Sequence, residues 1–298
     1  AGRSLGHSTE NGKTISIWQV DYPVRGLTLS AARYVVEEKP VGKVTAATYL
    51  LPQNQHLAAS YLSATAGYIA LYSDLFGAYP FEKFAVVENF FPTGFGFPSY
   101  TLMGGTVLRL PFIVHTSLGH EIAHCWWGNG VYVDYATGNW SEGLTSYVAD
   151  YLFKEMKSEK AALDARRQWL RNFATLIQPD NDFALSRFQS RYNPVTKTIG
   201  YDKSAMVFHM MRRLIGEEAF WGSLRDLYQT RRYRPTSWAD LLNEDLKGYV
   251  TVPGLATTNG PATIVMLAEA LGGDIDNTDV AWEALPPLAD QLVTTYQR

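Results

Sequence analysis

His120-Glu121-Ile122-Ala123-His124-Cys125-Trp126-Trp127-Gly128-Asn129, followed further on by Trp140-Ser141-Glu142-Gly143, decides how this chain is read. Positions i and i+4 of a helix lie on one face, so the imidazoles of His120 and His124 can reach one ion. Glu121 stands beside the first of them, where a carboxylate can take a proton from a water activated by that ion. A catalytic zinc site needs a third protein ligand and one open position. Glu142 supplies the candidate. Residues 125–141 lie between it and His124, and Gly128, Gly130 and Gly138 let the chain turn back to present a second helix. Glu142 then opens that helix and completes a set of two histidines and a glutamate around one zinc ion. The competing readings are two histidines on a solvated face and a first-turn carboxylate favouring the helix dipole.

Outward from this segment the pattern is β first and α later. Ile15–Val20, Leu27–Glu37 and Val44–Leu51 are rich in β-branched and aromatic residues and read as strands, punctuated by Pro23, Gly26, Pro40, Gly42 and Pro52. Leu57–Phe76 has helical spacing and stops at Gly77. Phe84–Val87 is a short strand, and residues 90–105 read as a Gly- and Pro-rich loop. Helices are expected at His115–Trp127, Glu142–Met156, 159–177, 202–215 and 217–230. A further helix start at 237 has Ser237 as its cap. This order predicts an α+β fold rather than a doubly wound sheet. The segments are 1–52, β-rich; 53–242, carrying the chemistry; and 243–298, with helical patterns at 261–272 and 280–296 and no assigned role.

The 298 residues are 46% apolar and 18% charged, which excludes a disordered chain. A net charge of −3 gives no electrostatic footprint for nucleic acid. No apolar run approaches the roughly 18 residues of a membrane span, and Ala1–Asn11 has no hydrophobic signal core. The expectation is a soluble domain without nucleic-acid or membrane partners, in a compartment the sequence leaves open. Cys125 is the single cysteine, so no intrachain disulfide forms; between His124 and two tryptophans it reads as buried and inert. His115 and His209 read as capping or packing residues, and Asp150 as a solvated helix carboxylate.

The zinc segment resembles the gluzincin aminopeptidases, the group of alanyl aminopeptidase and leukotriene A4 hydrolase. Gly200-Tyr201-Asp202-Lys203-Ser204-Ala205-Met206-Val207 is similar to that family's Tyr-x-Lys-Gly helix start, and the stretch from 57 to Phe81 is similar to the region before its active-site loop. The resemblance covers residues 25–242. It implies a thermolysin-like, two-lobed metallopeptidase with a small sheet and a mainly helical second lobe. It implies one zinc ion on His120, His124 and Glu142, Glu121 as general base, Tyr201 as hydrogen-bond donor to the reacting carbonyl, and a peptide substrate. It also implies further domains in a longer parent protein.

Two features depart from the family. The spacing between His124 and Glu142 is one residue shorter than usual. The family's Gly-x-Met-Glu-Asn pattern, whose glutamate holds the substrate's free amine, finds its nearest match in Gly94–Thr101, where Gly96 stands in place of that glutamate. Glu88 lies upstream as a possible substitute. A buried ammonium without a carboxylate is costly, so the demand for a free N-terminus is expected to weaken. Gly96, Phe97 and Tyr100 are the candidate substrate-binding residues; Phe95, Phe97 and Tyr100 form either an apolar substrate wall or an anchor for the loop. Three functions follow: an aminopeptidase-like zinc hydrolase, a zinc peptidase without a free N-terminus requirement, and a non-catalytic zinc-stabilised peptide-binding domain. Intact Glu121 argues against the third.

Overall fold

The computed structural model describes residues 1–24, 26–92 and 94–242, and the chain divides after Gly130 into two units. The helical patterns expected within 243–298 lie outside the described residues.

The first unit begins with a hairpin of β1 (Arg3–Glu10) and β2 (Lys13–Gln19). Asn11 and Gly12 at its tip have φ of 49° and 73°. Two left-handed residues are what the tight turn of a two-residue hairpin needs, and Asn-Gly supplies them at low cost. The polar stretch Ala1–Asn11 is thus largely a strand, which its composition concealed.

Five strands form the main sheet: β3 (Val35–Val41), β4 (Val44–Leu50), β5 (Lys83–Asn89), β6 (Gly94–Phe97) and β7 (Tyr100–Gly104). Their order is β3-β4-β5-β7-β6. The inner pairs β4–β5 and β5–β7 are parallel and both edge pairs are antiparallel. Pro40 lies inside β3, opposite Thr45. An edge strand tolerates the missing donor. The run expected from Leu27 becomes a strand only at Val35, and Leu27 and Leu29 are 81% and 85% exposed. β-branched density reports a propensity without supplying a pairing partner.

The expected loop at 90–105 is mostly a hairpin, β6–β7, with Phe97 opposite Tyr100, Gly96 opposite Thr101 and Gly94 opposite Met103. Pro98 and Ser99 make its turn, Ser99 with φ of 71°. The Gly and Pro content pointed to a loop; the alternation of Gly and Phe is the period of a strand.

One face of the sheet carries a core of Ala47, Ala85, Val87 and Tyr100, with Phe97 and Leu102 packed against it. Helix α1 (Ala58–Phe76) buries Ala58, Tyr61, Leu62, Thr65, Ile69, Tyr72 and Phe76, residues spaced largely three and four apart. The short α2 (Gly105–Leu108) follows β7, and α3 (Ser117–Ala123) leads to the two-residue strand β8 (Trp127–Gly128).

In the second unit β9 (Val131–Val133) pairs in parallel with β10 (Pro235–Thr236). Helix α4 (Ser141–Thr145) runs through a π turn, Ser146–Tyr151, into α5 (Leu152–Lys157). Then come α6 (Glu159–Leu176), α7 (Pro194–Lys197), a second π turn at Thr198–Lys203, α8 (Ser204–Ile215) and α9 (Glu217–Arg231). The Ser237 hydroxyl accepts from the Asp240 N–H at 3.1 Å, while Asp240 accepts from the Ser237 N–H at 2.7 Å, the reciprocal cap expected there. The α+β class stands: a small sheet first, then a mainly helical unit. No helix among the described residues is long and apolar enough to cross a membrane.

Candidate active site

Helix α3 is only seven residues long, too short to persist by itself. Its buried face of Leu118, Gly119, Ile122 and Ala123 holds it in place. Tyr72 donates to the Gly119 carbonyl at 3.1 Å, and the Trp126 indole donates to the Gly77 carbonyl at 3.0 Å. Trp126 meets the rings of Tyr72, Phe76 and Tyr79 edge-on at 5.7, 6.1 and 5.3 Å, and Trp127 meets Phe76 at 5.1 Å. Trp126 and Trp127 are fully buried. Aromatic residues make up 13% of the sequence, and here they form a foundation beneath the helix.

His120, Glu121 and His124 occupy the half-buried face. The two imidazole centroids are 4.9 Å apart and their planes cross at 78°. The helix ends at His124 because Cys125 and Trp126 donate back to the Ile122 and Ala123 carbonyls, tightening the last turn. The chain then folds so that the Trp127 carbonyl lies 2.9 Å from His124 Nδ1. A carbonyl there favours a proton on Nδ1 and leaves Nε2 as the ligand atom.

Glu142 stands in the first turn of α4. Asn139 prepares that turn: its side-chain oxygen accepts from the Ser141 N–H at 3.2 Å and from the Ser141 hydroxyl at 2.8 Å. The fully buried Trp140 donates to the Thr236 carbonyl at 2.6 Å. His120, His124 and Glu142 each offer one ligand atom, and these atoms lie within 4.8 Å of one another. Two imidazole nitrogens and one carboxylate oxygen, each half-buried, are the three-ligand protein donor set of a catalytic zinc.

The chain's glycines define the wall beside Glu121. A Cβ on Gly96 would lie 2.9 Å from Glu121 Oε2 and 3.4 Å from His124 Cβ, and one on Gly94 would lie 3.3 Å from Glu121 Oε1. Strand β6 therefore runs its backbone past the carboxylate, and Gly94 and Gly96 turn their bare face to α3. Alternation places Phe95 and Phe97 on the opposite face. Phe97 stacks on Tyr100 at 4.9 Å, and Tyr100 is 5% exposed within the sheet core. Of the two readings given for Phe97 and Tyr100, substrate wall or loop anchor, this packing favours the anchor. Both anchor the hairpin on the face away from Glu121, and only Gly96 of the three faces it. β6 carries Gly, Phe, Gly and Phe, so no register of this strand presents a carboxylate beside Glu121. Glu88 is committed elsewhere: it is buried, and accepts from the Leu51 N–H at 2.8 Å and from Asn54 at 2.7 Å.

Tyr201 lies in the second π turn, half-buried, with Phe188 edge-on at 6.1 Å and the Arg191 guanidinium 5.9 Å from its ring. Helix α4 and the start of α8 are in close contact, since a Cβ on Gly143 would sit 1.8 Å from the Ser204 hydroxyl. The elements that carry Glu142 and Tyr201 are thus packed together within one unit. Neither π turn was legible, because a single inserted residue changes the register without changing composition.

The secondary candidates fall where packing puts them. Cys125 is fully buried, and burial pushes its thiol up to about 12, so it is no nucleophile at neutral pH. His209 lies 3.2 Å from the Tyr147 hydroxyl; burial, with Arg166 and Arg212 nearby, pushes it down to about 4. His115 is exposed, and Asp150 is half-buried in the first π turn.

Residues 113–251 match the Peptidase family M1 domain. The M1 match starts just before α3 and takes in His120, Glu121, His124, Glu142 and Tyr201, so the resemblance drawn from these segments holds for this region. Aminopeptidase M1-B of Oryza sativa subsp. japonica is 30% identical over 137 residues, 43% of this chain and 15% of its own length. Aminopeptidase N of Rattus norvegicus is 30% identical over 139 residues, 43% of this chain and 14% of its own. This chain therefore spans a small part of the length of those M1 relatives. Among solved structures, an M1 zinc metallopeptidase mutant from Deinococcus radiodurans bound to a Tyr-Ser-Ala substrate matches with a TM-score of 0.60 at 23% identity, over 81% of this chain and 55% of that one. Native yeast LTA4 hydrolase matches with a TM-score of 0.56 at 18% identity, over 70% and 35%. These likenesses show the M1 metallopeptidase fold.

Proposed function

We propose that the chain is the catalytic region of an M1-type zinc metallopeptidase that hydrolyses peptide bonds in the manner of an aminopeptidase. The convergence of His120, His124 and Glu142 ligand atoms within 4.8 Å, with Glu121 next to His120 on the same helix, carries this reading. His120, His124 and Glu142 would hold a zinc ion, which would supply Lewis acidity to the scissile carbonyl and to the attacking water. The Glu121 carboxylate accepts the proton of that water and delivers it to the leaving amine nitrogen. Tyr201 donates its phenol proton in a hydrogen bond to the developing oxyanion. The Trp127 carbonyl holds the His124 ring by Nδ1, and β6 shields one side of Glu121 from water with bare backbone.

The preference for a free N-terminus is open to a second reading. β6 bears no carboxylate, and Glu88 is bound to Leu51 and Asn54. These features favour a peptidase that also accepts blocked peptides. An alanyl anilide with a free amine, compared with its N-acetylated counterpart, separates the two. Cleavage of the acetylated compound as fast as the free one removes the aminopeptidase label; cleavage of the free compound alone removes the second reading. No turnover of either by the zinc-loaded chain overturns the peptidase assignment.

A further inference from the structure

We propose that Lys197 and Asp202 form a register lock that holds the Thr198–Lys203 π turn open and so aims Tyr201. This rests on the role given to Tyr201 above. The Asp202 side chain is 5% exposed, and its Oδ1 takes the Lys197 ammonium at 2.7 Å. Its other oxygen accepts from the Asn172 amide on α6 at 2.7 Å. Lys203, one residue on, is fixed in turn by Asp182 at 3.1 Å, with its ammonium 5.6 Å from the Phe173 ring. Both residues after Tyr201 are therefore pinned.

The spacing gives the pair its meaning. On an α-helix, side chains three and four apart are neighbours. Residues five apart point about 140° away from each other around the axis. Lys197 and Asp202 are five apart and in direct contact, which the wider π turn allows and an α turn does not. The ion pair exists in one register only. It acts on Tyr201 because closing the π turn by one residue rotates the neighbouring side chains by about 100°. Gly200 reinforces the same register: a Cβ there would meet the Phe188 ring at 2.0 Å, so backbone and ring are in close contact one residue before Tyr201. A buried carboxylate that loses its cation is left uncompensated, which gives the lock its force. Lys197 and Asp202 are positioning residues that act through Tyr201.

The test is a double-mutant cycle on the zinc-loaded chain with the free alanyl anilide. Lys197→Met, whose side chain is 38% exposed in the native protein, and Asp202→Asn are each made with Tyr201 intact and with Tyr201→Phe. With Tyr201 present, each is expected to lower kcat about tenfold and shift KM less than about twofold, at unchanged zinc content. In the Tyr201→Phe background each is expected to change kcat by less than about twofold. Lys197→Arg keeps the ion pair and is expected to keep kcat. Equal losses in both backgrounds overturn the lock, because the residues then act without Tyr201. So does unchanged kcat in Lys197→Met. If Tyr201→Phe alone leaves kcat unchanged, the role of Tyr201 fails and the lock fails with it; wild-type inactivity does the same.

Discussion

A Cβ on Gly96 would lie 2.9 Å from Glu121 Oε2, closer than side chains approach one another without moving. The strand residue that bears no side chain and the carboxylate proposed as proton acceptor are in direct apposition. Gly96→Ala is therefore expected to push Glu121 off its position. A displacement near an ångström costs about 100-fold in rate, so kcat should fall by about 10- to 100-fold. Zinc content should stay at the wild-type level. Wild-type kcat in this variant would show that Glu121 has room the structure does not give it.

Glu121→Gln preserves size and hydrogen bonding while removing the proton acceptor. The expected outcome is full zinc retention, measured by elemental analysis, with kcat lowered about 10²- to 10⁴-fold. Unchanged turnover would take the general-base role from Glu121.

Glu142→Ala leaves His120 and His124 as the only protein ligands of the set. Zinc is expected to be lost on dialysis under conditions where the wild-type chain retains it, since a catalytic site needs three protein ligands. Wild-type occupancy would sink the assignment of Glu142.

Gly143→Ala forces a methyl group into the Ser204 side chain, 1.8 Å from its hydroxyl. Overpacking of this kind destabilises by about 1–3 kcal/mol. A urea midpoint below wild type is expected, and Ser204→Gly in the same chain should restore part of it by vacating the space. Additive losses in the double variant would contradict the contact.

His209 is expected to contribute to the acid response. Its ordinary value is 6.5, and burial among Tyr147, Tyr151, Arg166 and Arg212 brings it to about 4, with Glu155 opposing. The unfolded chain therefore binds this proton first. Stability is expected to be full above pH 6.5 and to fall as pH drops from there toward 4. His209→Gln should flatten that part of a denaturant-midpoint profile; an unchanged slope would assign the response to other groups.

The candidate metal residues were legible because the chemistry needs particular residue types at particular spacings, and both helix periodicity and glycine turns could be read around them. The long helices were legible for the same reason, with Gly77 marking the end of α1. The 90–105 hairpin was hidden because Gly and Pro advertise loops even where Gly alternates with Phe along a strand. The strand before Asn11-Gly12 was hidden by polar composition, although the dipeptide itself is a hairpin signal. Asp202 was invisible because its importance lies in a five-residue spacing that means nothing until the turn is known to be wide. Whether Phe97 and Tyr100 wall the substrate or anchor the hairpin stayed open in the sequence because a stretch read as a loop has no alternation to count.

The brevity of α3 has a consequence for how the protein tolerates heat and sequence drift. Seven residues hold their shape only while Tyr72, Phe76 and Trp126 remain packed beneath them. The weak link of the metal site thus lies some fifty residues upstream, in α1, where a substitution touches no ligand. Loosened aromatic packing there is expected to weaken the hold of α3 on a bound metal without changing any of the candidate ligands.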